Sequence, residues 1–212
     1  MVTHFSRETR LGIIDVVARA IHNGRPVPEQ ARQIYDLVAL TRLQIRRLDH
    51  FTAHAIATGS PVDQVDRWRA VLAEKLRKRR ALVIAGTETI TAANRGQQQL
   101  WEQLMREGVL PDQARKEWIT TPGDRRCARC AAMHGQTVLV RALFTSQRFG
   151  DVKQPALHPQ CRCAMGIARR TALAVSQQVR PFVDAFPPRF STSDRAAWAL
   201  KQAARDRARR AA

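Results

Sequence analysis

No apolar run in this 212-residue chain approaches the roughly 20 residues that a membrane-spanning helix needs. The opening stretch, MVTHFSRETR, has no long apolar segment behind its charges, so no secretory signal is expected, and the product reads as soluble and intracellular. Cysteine is scarce. The four present all lie between Cys127 and Cys163, too clustered for a disulfide framework in a chain this long, and in a reducing compartment such clustering points to metal. Acidic residues are also in deficit: 18 Asp and Glu stand against 36 Lys and Arg, a formal charge of +18. A molecule so charged repels itself, which a polyanionic partner relieves, whether nucleic acid, an acidic membrane surface or an acidic protein. Charge alone does not choose among them.

The catalytic signatures that spacing can reveal are missing as well. The chain contains no nucleotide-binding glycine loop, no Gly-x-Ser-x-Gly elbow and no His-Glu-x-x-His. Nor does it repeat itself at the roughly 20–50-residue period of a solenoid. What is present is enough apolar sequence for a core, 44% hydrophobic residues with 25% charged, which excludes collagen-like and wholly disordered chains and predicts one or two domains.

Helical spacing dominates the first half. A short helix is expected around residues 7–22, then a separator containing Gly24, Pro26 and Pro28. Ile34, Leu37, Val38, Ile45, Leu48 and Ala55 next recur at three- and four-residue steps, predicting one long amphipathic helix from Pro28 to about Thr58. Pro28 suits its first turn, where an amide hydrogen has no helical partner. Gly59 ends this helix and Ser60-Pro61 opens another, with Ser60 as cap and Asp63 placing negative charge near the positive helix end. Val62, Val65, Leu72, Leu76 and Val83 carry that helix on, with Gly86 as a candidate break, to Met105. Beyond Pro111 come short segments rich in β-formers: 118–121, 137–140 and, at Cys161–Met165, a third short strand. Pro181 and Pro187-Pro188 then break up a tail that ends in an Ala-rich helix capped by Ser193 and containing Trp198. The fold class is therefore α+β and mainly α: a helical region at 1–110, a small Cys/His-rich module at 111–168 and a basic arm at 169–212.

The most specific local signal is Cys127-Ala128-Arg129-Cys130 with His158-Pro159-Gln160-Cys161-Arg162-Cys163. Zinc prefers four tetrahedral ligands drawn from thiolate and imidazole, and a two-residue gap lets one turn bring two of them to a single ion. The same gap separates His158 from Cys161. On a strand Cys161 and Cys163 share a face, so Cys163 can replace His158 as fourth ligand, and spacing does not decide between them. Ordinary buried thiols, or a Cys127–Cys130 redox pair, are the plainer alternatives. His134, four residues after Cys130, is a lesser candidate because the set is complete without it. A site with four protein ligands leaves no position for water, so the expected zinc is a structural clip rather than a catalyst. Asp124, His134 and His158 can be posed as acid–base groups of a nuclease, against readings as a turn aspartate, a surface histidine and a metal ligand.

Basic residues gather in two runs, Arg77-Lys78-Arg79-Arg80 on the long helix and Arg205, Arg207, Arg209 and Arg210 near the end. Each can be a solvated helix face; with the global charge, both favour sequence-independent phosphate contacts. Trp68, Trp101, Trp118 and Trp198 fall at core positions of helices or strands and read as packing anchors rather than stacking platforms.

Taken as one string, Thr87-Glu88, Asn94-x-Gly96, Trp101, Trp118-Ile119-Thr120, Asp124-Arg125-x-Cys127-x-x-Cys130, Gly135, Phe144 and His158-Pro159-x-Cys161-Arg162-Cys163 resembles the phage Mu F-like head morphogenesis family, the minor head proteins of tailed bacteriophages. The resemblance covers about 81–167 and excludes the N-terminal helices and the basic tail. It implies a non-enzymatic, low-copy component of a symmetric capsid, placed at the portal vertex during assembly, contacting the portal protein or the major capsid protein and facing packaged DNA. Glu88, on a largely apolar helix, needs a partner if buried, and Arg125 is a candidate by charge and by the family pattern. Two departures from the family pattern are Gly123, where an acidic residue often precedes Asp124, and the lack of an appended enzyme domain.

Overall fold

The computed structural model describes residues 5–121, 127–168 and Thr171. Its elements run α1 (Arg7–His22), α2 (Val27–Leu37), α3 (Arg42–Ala57), α4 (Val62–Arg106), β1 (Arg115–Ile119), α5 (Ala128–Ala131), β2 (Thr137–Leu139), β3 (Phe144–Ser146), β4 (Gly150–Val152) and β5 (Ala164–Ile167). This is a mainly helical N-terminal part followed by small antiparallel sheets, as the residue pattern predicts. Two compact units are present. One contains the chain to Ala92 with His158–Cys161; the other contains Ala93–Leu157 and the chain from Arg162. No described helix is long and apolar enough to cross a membrane.

In the first unit α1 starts at Ser6, whose side chain accepts the Thr9 amide at 3.2 Å, and ends where Gly24 takes φ +63°, a conformation easiest for glycine. Ile13, Val16 and Val17 of α1, Ala31 and Ile34 of α2, Val38, and Ala81 and Ala85 of α4 form one buried cluster. Full burial of an aliphatic side chain contributes about 1.5–3 kcal/mol, so Ile13, Ile34 and Val38 are its main anchors.

The single helix expected over 28–58 is two helices. Its apolar positions stay in phase across the interruption, which hides the break from a periodicity argument. Val38 is extended, with φ −119° and ψ 136°. Thr41 then opens α3 with a capping box: its hydroxyl accepts the Gln44 amide at 3.2 Å while Gln44 Oε1 accepts the Thr41 amide at 2.9 Å. The Val38 carbonyl, lost to helical bonding, accepts Arg77 Nε at 2.8 Å. Two further corrections concern α4. The amides of Gln64 and Val65 bond to the Pro61 carbonyl, so Pro61 rather than Ser60 holds the capping position. And α4 runs through Gly86 unbroken for 45 residues.

In the second unit β1 is the central strand of a three-stranded sheet in the order β2-β1-β5, antiparallel on both sides, and β3 and β4 form a separate hairpin. Trp118 of β1 is completely buried, meeting Phe144 edge-to-face with ring centroids 5.1 Å apart. Strands lie where β-formers cluster, but β5 starts at Ala164, after the cysteines. Of the predicted tryptophan anchors, Trp101 and Trp118 are buried, whereas Trp68 is 43% exposed. Trp198, the terminal helix and, apart from Thr171, the basic arm lie outside the described residues.

Candidate metal centre

Two short turns supply four of the five candidate ligands. Cys127 caps α5, and the Cys130 and Ala131 amides both bond back to its carbonyl, so the two-residue gap becomes one helical turn with both thiols on the same side. A second turn is closed by the Cys161 amide donating to the His158 carbonyl at 3.0 Å. Within it Gln160 takes φ 62°, and its amide donates to the Thr87 hydroxyl at 3.0 Å. That hydroxyl in turn donates to the Val83 carbonyl at 2.7 Å.

The metal-binding atoms of Cys127, Cys130 and His158 lie within 4.8 Å of one another, as do those of Cys130, Cys161 and Cys163, and Cys130 belongs to both groups. Four sulfurs about one zinc at a 2.3 Å bond length sit about 3.8 Å apart, so spacing of this order suits a tetrahedral ion. Cys130, His158, Cys161 and Cys163 are buried and Cys127 is half-buried. His158 Nδ1 lies 2.8 Å from the Pro159 carbonyl. A carbonyl only accepts, so Nδ1 carries the proton and Nε2 keeps the lone pair a metal needs. The donor chemistry fits zinc: cysteine sulfurs and an imidazole, close together and shielded from solvent.

The strand argument for Cys163 is corrected here, since Cys161 and Cys163 precede β5 rather than lie on it. Their proximity comes from the turn and from Asn94. This buried residue of α4 donates from Nδ2 to the Cys163 carbonyl at 3.3 Å and accepts the Met165 amide on Oδ1 at 3.0 Å. Asn94 thus holds the chain from Cys163 into β5, a role that its place in the motif string did not reveal.

A family model described as Phage Mu protein F like protein matches residues 12–166. The chain belongs to the Phage Mu protein F-like family. Membership implies a phage head morphogenesis protein. The match begins far upstream of the motif-bearing stretch at 81–167, so the N-terminal helices belong to the family region too. No curated protein and no solved structure matches the chain.

Other candidate residues of this Mu F-like chain fall as follows. His134 is in neither group of metal-binding atoms; its Nδ1 accepts the Thr120 amide at 3.3 Å, a structural bond. Asp124, Gly123 and Arg125 lie outside the described residues, as do Arg205, Arg207, Arg209 and Arg210. Glu88 is half-buried, and desolvation raises its carboxyl above the ordinary value. In the helical basic run, Arg77 stacks on Tyr35 at 4.2 Å while bonding Val38, and Arg80 lies over Phe5 at 4.9 Å. Lys78 pairs with Glu74 at 2.5 Å, and Arg79 is exposed. Arg79 and Arg80 border a largely apolar cleft with Leu43, Val83 and Glu88.

Proposed function

We propose that this chain is a minor head protein of a tailed bacteriophage, present in few copies at the portal vertex, inside the capsid, and acting in assembly without enzymatic turnover. The observation that carries the reading is the family match across most of the chain. The portal protein or the major capsid protein is the assembly partner, and the exposed apolar side chains Leu43, Val62 and Val71 of the helical part are suited to such contact. Packaged DNA is the second partner. A charge of +18 favours phosphate contacts that ignore sequence, with Arg79 and the C-terminal arginines best suited to them, since Arg77 and Arg80 are engaged with Val38, Tyr35 and Phe5 and Lys78 pairs with Glu74.

Zinc is the cofactor of this reading, held by four of Cys127, Cys130, His158, Cys161 and Cys163. Its contribution is to clip the turns together. With every coordination position taken by protein, no water is activated there. The organisation that goes with this function is a helical region at 1–110, the metal-clipped module at 111–168 and a basic arm at 169–212.

The test is to locate the chain during infection. Sedimentation with procapsids and copurification with a portal ring are expected. Particles devoid of the chain, together with specific DNA cleavage by the purified protein, would instead favour a zinc-stabilised nuclease or DNA-binding protein. Retention on DNA is expected to fall as salt rises, and retention insensitive to salt would remove the phosphate contacts from the reading.

A further inference from the structure

Away from the cysteines, the second unit buries a set of groups that the assembly reading does not use. Lys116 of β1 has no exposed surface, and Gln98 of α4 is 1% exposed. Lys116 Nζ donates to Gln98 Oε1 and to the Lys153 carbonyl, each at 3.0 Å, and lies 5.0 Å from the centroid of the Phe144 ring. The Gln98 amide is held in one orientation because its Nε2 donates to Glu102 Oε1 at 2.7 Å and to the Val140 carbonyl at 2.8 Å. Glu102 also pairs with Lys153 Nζ at 2.9 Å. A primary amine therefore touches the carbonyl group of a carboxamide, while a carboxylate touches the nitrogen that would leave.

We propose that Lys116 and Gln98 join in an intramolecular isopeptide bond, with Glu102 relaying the proton, so that β1 becomes covalently tied to α4. The neutral amine adds to Gln98 Cδ, and the carbonyl π pair moves onto Oε1. Glu102 takes a proton from the attacking nitrogen and delivers it to Nε2. The carbonyl then re-forms, the Cδ–Nε2 bond breaks, and ammonia departs with the bonding pair. One secondary amide and one ammonia result, and neither oxidant nor cofactor is needed.

Three physical conditions favour the step. The reacting groups are held in contact, which removes the entropy of a bimolecular encounter. The reacting pair, Lys116 and Gln98, is shielded from solvent, so bulk water has little access to the intermediate. Burial pushes the Lys116 amine down to about 8, with Lys153 adding to the shift and Glu102 opposing it, so neutral amine is available near neutral pH. The product also replaces a buried ammonium with an uncharged amide, removing its desolvation cost.

Intact-mass measurement and tryptic mapping of the full chain test the bond. The expected chain is one ammonia lighter than its sequence, resists trypsin after Lys116 and yields a branched peptide joining Lys116 to Gln98. In freshly refolded chain the conversion rate rises with pH and levels off above about 8. Lys116→Arg is expected to restore the full sequence mass, and Glu102→Ala to slow or abolish the loss. A wild-type chain of full mass, cleaved after Lys116, overturns the proposal, as does ammonia loss that maps elsewhere. Undiminished loss in Glu102→Ala overturns the relay. Mapping of the wild type alone decides the bond even where a variant fails to fold.

Discussion

Asn94 uses both ends of its amide on one segment, at Cys163 and Met165. Asn94→Ala removes both of these buried hydrogen bonds, each worth about 0.5–1.5 kcal/mol, so a loss of about 1–3 kcal/mol is expected in denaturant melts. Glu88 behaves in the opposite sense. Desolvation raises its carboxyl in the folded state, so the native chain holds that proton more readily than the unfolded one, and stability falls as pH rises through the interval. At neutral pH the charged form carries the whole cost. Glu88→Gln is therefore expected to melt above wild type at pH 7, with the gap closing as pH drops below the ordinary carboxylate range. A lower melt at pH 7 would mean that a cation, Arg125 being the family's choice, pairs with Glu88. At this scale the Cys/His cluster was legible because two-residue gaps bring such side chains together locally. The partners of Asn94, Lys116 and Arg77 were not, since each pairing joins residues 18 to 71 positions apart in sequence. One hint was available for Lys116: two residues before Trp118 on a strand, it shares that side chain's buried face.

Among elements, the helical half could be read from period and the sheets from β-formers, while the errors fell at boundaries. The join between α2 and α3 was invisible to periodicity, yet Thr41-x-x-Gln44 is a capping box in the sequence itself. Gly86 misled in the other direction, because glycine weakens a helix interior without breaking it when packing holds the turns. A Cβ built at Gly86 would meet Val27 Cγ1 at 3.8 Å, ordinary contact. Gly86→Ala is accordingly expected to stabilise the protein by up to about 1 kcal/mol, read as a higher denaturation midpoint. The hairpin of β3 and β4 was missed because each strand has only three residues, too few for an alternating pattern to register.

For the whole molecule, the Cys/His cluster and the net charge set what is expected. Four-coordinate structural zinc couples to folding, so the purified chain is expected to carry one zinc, and chelation to lower its melting temperature reversibly. Cys130→Ser is the sharpest probe, since Cys130 belongs to both groups of donors, and metal content unchanged in that variant would dismiss the site. The family and its head-assembly role were legible from the ordered motif string. The extent of the family region was not, because the N-terminal helices carry no chemistry-bearing residues to match. The hydroxyl of Thr87, bonded to both Val83 and Gln160, has a kinetic consequence. It moors the loop bearing His158 and Cys161 in advance, so an arriving ion has less chain disorder to remove there. Thr87→Val is thus expected to load zinc more slowly than wild type in stopped-flow uptake, even where both end at the same occupancy.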